Sequence, residues 1–201
     1  MRSEFITKRR IWFAVGTIGA LLIAGAVLWF VYRPTQVPAA FIEDRQAAAA
    51  MSQRIVEITE SVSSRIGEAN GHEKVGNRDG ALSLMEQAHT ENNEARLKAV
   101  ELSAQLKKLT ESLSGIHSGT SQQYGIRAIS QGLILVNEYI TYNQYLGTFL
   151  DTLANSFGGG TTDAERSAIE AALSAVNQEA VAINRMNQLF QDAMSEFDRS
   201  L

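Results

Sequence analysis

Beyond residue 38 the apolar positions recur at alternating spacings of three and four, the rhythm of a helix with one buried face. Residues 39–69 carry Ala48, Met51, Ile55, Ile58 and Val62 in that rhythm, and Asn70-Gly71 marks its stop. Residues 77–116 hold it longest, from Met85 through Ala88, Asn92, Ala95, Ala99, Leu102, Leu106, Leu109 and Leu113 to Ile116, a sustained heptad pattern. Residues 121–157 repeat it from Ile126 through Ile129, Leu133, Val136, Ile140, Asn143, Gly147, Leu150 and Ala154 to Phe157. Residues 162–200 do the same from Ile169 through Leu173, Val176, Ala180, Ile183, Asn187, Phe190 and Met194 to Phe197. Thr120 with Gln123, and Thr162 with Glu165, have the spacing of capping boxes, and Gly158-Gly159-Gly160 separates the last two helices. Connections this short make neighbours antiparallel, so the fold class expected over 39–201 is all-α, an elongated antiparallel four-helix bundle.

The first 38 residues break with this pattern. Ile11 to Tyr32 runs 22 residues without a charge, which as a helix reaches about 33 Å against a hydrocarbon core of about 30 Å. Trp12 stands near one end and Trp29 and Tyr32 near the other, where amphipathic rings favour the headgroup layers. Lys8, Arg9 and Arg10 precede the segment, and the positive-inside rule then puts residues 1–10 in the cytoplasm and everything after Tyr32 outside it. The expected organisation is a basic cytoplasmic tail (1–10), a single-pass transmembrane signal-anchor (11–32), a linker with Pro34 and Pro38 (33–38) and an extracytoplasmic bundle (39–201). Ala24-Gly25-Ala26 keeps a second reading open, a signal cleaved at an A-x-A site. Gly16, Ala20 and Ala24 fall at i, i+4 and i+8, a small-residue stripe on which two such helices can pack, although small residues are common in spans.

Charge and composition narrow the function by exclusion. Residues 34–201 carry 13 basic and 21 acidic side chains, a net of -8, whereas a nucleic-acid binder needs a concentrated basic surface. The chain has no Cys, so disulfides, thiolate metal sites and a Cys nucleophile are excluded. His72 and His117 fall in turns at opposite ends of the second helix, about 60 Å apart. Glu86 and His89 match one Glu-x-x-His element of a di-iron bundle, but the second element is missing and Glu86 follows core position Met85 toward solvent. No nucleophile elbow, phosphate-binding loop or dinucleotide fingerprint occurs. Catalytic residues, a metal and a cofactor are therefore not expected.

Two features exceed what a bundle needs. With the second turn centred near residue 118, Asn92 comes level with residue 144, so Asn92 and Asn143 are expected to form a buried hydrogen-bonded pair that fixes register. The alternative is a hydrated cavity for a small polar ligand. The third helix carries only Arg127, Glu138 and Asp151, against eleven charges between 78 and 116 on the second. A second apolar stripe, Gly125, Ala128, Gly132, Leu135, Tyr139, Tyr142, Leu146, Phe149 and Leu153, runs 100° from the first. It either packs on the fourth helix, whose matching face holds Ala168, Ala172, Ala175 and Ala182, or presents Tyr139, Tyr142, Leu146 and Phe149 as an interaction face. The second helix's charges, Glu91, Glu94 and Lys108 among them, read as a solvated face.

The function expected is a membrane-anchored structural or protein-interaction module of the cell envelope, contacting the bilayer through 11–32 and an envelope protein or itself through the bundle. A sensory bundle that binds a small ligand is the alternative, by architectural analogy with periplasmic four-helix receptors. With one apolar segment in the 201 residues, that alternative needs a partner membrane protein to transmit a signal.

Overall fold

The computed structural model describes residues 37–157 and 162–201. The apolar segment 11–32, with Gly16, Ala20 and Ala24, lies outside the described residues. Within them are four helices and no strand: α1 (Ala39–Lys74), α2 (Arg78–Ser112), α3 (Gly119–Ser156) and α4 (Asp163–Ser200), with a 3-10 turn, Leu113–Gly115, after α2. None of these helices is long and apolar enough to cross a membrane.

The heptad residues form the core, which runs from Phe41 and Phe197 at one end to Ala69 and Ala81 near the other. Leu106, Leu109, Ile129, Val136, Leu150, Val176 and Ile183 are all buried in it. α1 packs most closely on α2, and α3 on α4, so the bundle is two antiparallel hairpins joined chiefly along α2 and α3. Ion pairs mark the antiparallel register. Arg65 meets Glu91 at 2.7 Å while Asp44, earlier on α1, meets Lys108, later on α2, at 2.7 Å; Arg127 of α3 meets Glu196 of α4 at 2.9 Å. Glu91, Glu94 and Lys108 all reach across to α1; Glu91 is half-buried there, which corrects its reading as solvated, while Glu94 and Lys108 keep their side chains largely in solvent.

Helix ends depart from expectation where a stronger local signal lies nearby. α1 runs through Asn70-Gly71 and stops after Lys74, because one interior Gly costs only about 1 kcal/mol. The turn itself uses Gly76 at φ +75°, a conformation that side chains with a Cβ avoid. α2 ends at Ser112, and Ile116 is buried beyond it in extended conformation. Ser118, not Thr120, caps α3: its hydroxyl accepts from the Ser121 amide at 3.2 Å, which places Thr120 inside the first turn. At α4 the Thr162 and Glu165 capping box forms as its spacing predicts.

One end of the rod is tied more heavily than its seams. The Pro38 ring lies against Gly115, where an added Cβ would come 2.8 Å from Pro38 Cγ. Phe41 and Phe197 meet edge to face with centroids 5.5 Å apart. Arg45 holds Asp198 by two parallel bonds of 2.7 and 2.9 Å. The Ser121 hydroxyl donates to the Ser200 carbonyl at 2.6 Å. The start of α1, the α2–α3 turn and the end of α4 therefore share this end.

Candidate functional site

The fold brings four of the sequence-predicted residues into one interior layer. Asn92 and Asn143 are both buried, and the Asn92 side-chain amide donates to the Asn143 backbone carbonyl at 2.8 Å. The Asn143 amide in turn donates to the Tyr139 carbonyl of its own helix at 2.7 Å. The two asparagines thus meet within a residue of the expected register, but through main chain and not as a side-chain pair. The reason is local: the Asn143 amide is already engaged one turn back on α3. Gly147 helps by leaving room, since an added Cβ would lie 3.5 Å from Asn92 Nδ2.

Thr59 of α1 completes the layer. Its hydroxyl donates to the Ile55 carbonyl at 2.8 Å, so the Tyr139 hydroxyl is left to donate to Thr59 Oγ1, a bond that crosses the bundle diagonally. Tyr142 lies beside Tyr139, ring centroids 5.9 Å apart, and is 0% exposed. Its hydroxyl and Asn92 Oδ1 make no hydrogen bond with the described residues.

Burial pushes the Tyr139 phenol up to about 12 against the opposing pull of its Thr59 bond, and burial with the neighbouring Tyr139 raises Tyr142 as well. Both phenols stay protonated at physiological pH, which makes the layer a set of neutral hydrogen-bonding groups and not a source of base or nucleophile. Its bonds from Asn92 to the Asn143 carbonyl and from Tyr139 to Thr59 both cross between the two hairpins.

Tyr139, Tyr142, Leu146 and Phe149 are all buried, so of the two readings of the second stripe the packed one holds, and the alternative that they present an interaction face is corrected. Small residues on the same side of α3 let the neighbours close over them: Gly132 sits under the Phe190 ring and Gly125 between Leu113 and Phe197. Gly132 against Phe190 sets a register in which Tyr139 comes level with Ile183, one residue from the expected Ala182. In the first stripe Ile126 turns outward while Ile129 stays inside.

Sequence reasoning passed over the polar cluster on α1. Asp44 is buried and held by the Lys108 ammonium, the Ser112 hydroxyl and the Gln105 amide. The Lys108 bond first, then the Ser112 bond, keep its carboxyl below the ordinary aspartate value. The signal was present, because extending the Ala48, Met51, Ile55 run backward places residues 44 and 45 on the core line.

What α3 leaves outward is distinct from what it buries. Between Arg127 and Asp151 its exposed residues are Ser130, Ile134, Asn137, Gln144, Tyr145 and Thr148, none of them charged. Glu138, the one charge in that interval, is half-buried and directed at Glu179 of α4. Charges recur among the exposed positions of α1 and α2, Glu57 and Arg96 among them, and toward the two ends of α4; between Glu170 and Arg185 the exposed residues of α4, Ala171, Ser174, Gln178 and Val181, are uncharged as well.

Comparison of the chain with protein-family models, curated proteins and solved structures gives no match in any of the three.

Proposed function

We propose that this chain is a protein-interaction module of the cell envelope, anchored in the cytoplasmic membrane through residues 11–32 with its helical bundle held outside the cytoplasm. The observation that carries the interaction reading is the uncharged exposed face of α3. A helix side meant only for water is normally rich in charge, and about 23 residues of α3, or ~34 Å, have none outward. The observation that supports the anchor is the 22-residue uncharged run behind Lys8, Arg9 and Arg10.

Two measurements test this reading. A reporter that works only outside the cytoplasm, fused after Leu201, should be active, and deletion of residues 1–36 should release an equally stable bundle from the membrane fraction. A silent reporter, or a full chain that never sediments with membranes, overturns the anchor. A photoreactive side chain at Asn137 on α3 should give protein adducts in intact cells that one at Glu57 on α1 does not. Identical adduct patterns from the two positions overturn the interaction face.

A second reading, a sensor for a small hydrogen-bonding ligand, is favoured by one observation: the buried Tyr142 hydroxyl and Asn92 Oδ1 lack partners among the described residues. In that reading a stabilising ligand loses its effect on the melting temperature in Tyr142→Phe.

A further inference from the structure

Five of the large apolar side chains that the bundle leaves in solvent lie level with the same stretch of α3. Leu97 and Val100 of α2, Ile134 and Tyr145 of α3, and Leu189 of α4 are 42% to 59% exposed. Their placement follows from contacts across the seams of the bundle. Ile134 is one heptad past Arg127, and Leu189 is one heptad before Glu196, so the two repeat the Arg127–Glu196 position of the outer α3–α4 seam with apolar side chains. Val100 lies three turns along α2 from His89, which faces Asp151 of α3 at 3.9 Å, and so borders the α2–α3 seam. In the register set by Gly132 with Leu106 and Phe190, Leu189 is level with residue 133, Val100 with 138 and Leu97 with 141. With Tyr145 the cluster spans about 18 Å of the rod, flanked along α3 by the uncharged Ser130, Asn137, Gln144 and Thr148.

We infer that this face binds a second copy of the same chain, α3 against α3, about a two-fold axis parallel to the rod. The inference rests on the interaction reading above and names its partner. Charge decides the occupant. A partner presenting charges here would bury them with nothing opposite to pair, at a cost of several kcal/mol. The matching surface must therefore also be uncharged, and the chain itself carries one. The charged faces of two copies repel, since residues 34–201 each bring a net of -8, which disfavours contact through α1 and α2.

Size and direction agree. A strip ~34 Å long that includes the shoulders of α2 and α4, each helix about 10 Å wide, covers on the order of 700 Å², close to the ~800 Å² per partner of a stable interface. Residues 1–36 join the bundle at the start of α1, so copies inserted by the same segment lie parallel. A parallel two-fold sets Ile134 opposite Ile134, an isologous contact.

The test uses two full-length chains with different tags, co-expressed and crosslinked in intact membranes. A photoreactive side chain at position 137 should give an adduct carrying both tags, and one at position 57 should not. Ile134→Glu and Ile134→Lys should each lower that adduct on the order of tenfold or more by setting like charges against each other, and co-expressing the two variants should restore it. Because position 134 is exposed, melting of both variants should match the parent. A mixed-tag adduct indifferent to both substitutions, or equal from positions 57 and 137, overturns the inference. Capture of a different protein from position 137, with no mixed-tag adduct, overturns the second copy while leaving the interaction reading standing. No adduct of any kind from position 137 overturns both. Charge variants that lose melting show that Ile134 is structural, which also overturns the inference.

Discussion

Tyr139 and Tyr142 stand one turn apart on α3 with opposite hydrogen-bonding fates. Tyr139 gives its proton to Thr59, while the Tyr142 hydroxyl is fully buried without a partner among the described residues. Removing the Tyr139 hydroxyl should cost about 1 kcal/mol, whereas Tyr142→Phe deletes a group that is costly to bury and should leave stability unchanged or raise it by about 1 kcal/mol. Urea midpoints of the two variants decide, and a destabilised Tyr142→Phe would contradict the assignment. Carboxylates show a similar divergence. Asp44 titrates lower when folded, so its stabilising contribution is present above the ordinary value near ~3.9 and is lost as pH falls through the folded one. Asp44→Asn should therefore melt below the parent at neutral pH, and the gap should close in acid. Glu179, raised by burial and then by Glu138, has the opposite sign. Its penalty is absent below its unfolded value and fully present above the folded one, so Glu179→Gln should melt above the parent at neutral pH and converge with it in acid.

At the scale of helices, burial of the heptad line sets the energetics. Leu106, mid-way along α2 and almost fully buried, should cost about 2–5 kcal/mol as Ala. Thr162→Ala, which breaks only the α4 cap, should cost about 1 kcal/mol. Equal losses in denaturation would mean that the core is not where the heptads put it. Much of this was legible in the chain. Spacing alone located four helices, and turn symmetry placed Asn92 within one residue of its partner. What spacing cannot fix is the rotation of a helix with two apolar stripes. On α3 both stripes satisfy the same period and both turn inward, the second more completely: Gly125, Ala128 and Gly132 are buried with Tyr142 and Phe149, while Ile126 of the first stripe turns outward. Thr59 was illegible for a related reason: its partner is 80 residues away on the diagonal helix, and only the assembled bundle brings them together. The outward face of α3 was half legible, since its lack of charge was plain in the sequence but its exposed side could not be told from its buried one.

For the whole molecule, the two hairpins depend on a few side chains that cross between them. Arg45 and Asp198 form the strongest such link, with two short parallel bonds and little solvent on either side chain. Asp198→Ala should lower global stability by about 2–3 kcal/mol, as loss of hydrogen bonds to a charged group does. Glu196→Ala, two residues away, removes a more exposed ion pair with Arg127 and should cost less than about 1 kcal/mol. Comparable shifts in urea midpoint for the two would show that the link between hairpins lies elsewhere.

The seat of Pro38 on Gly115 also determines how the bundle carries force. Tension on the preceding chain enters at the first turn of α1 and pulls along that helix's axis. If the molecule is gripped on α3, α1 is loaded in shear: its contacts with α2 are strained together along the whole length, instead of being peeled apart one turn at a time. Rupture in shear requires many contacts to yield at once, and forced opening is governed by the unfolding rate, not by equilibrium stability. Behind the Pro38–Gly115 and Phe41–Phe197 contacts, the Arg45–Asp198 ion pair is the first charged tie between hairpins that such tension meets, passing load from α1 to α4 before α1 can slide.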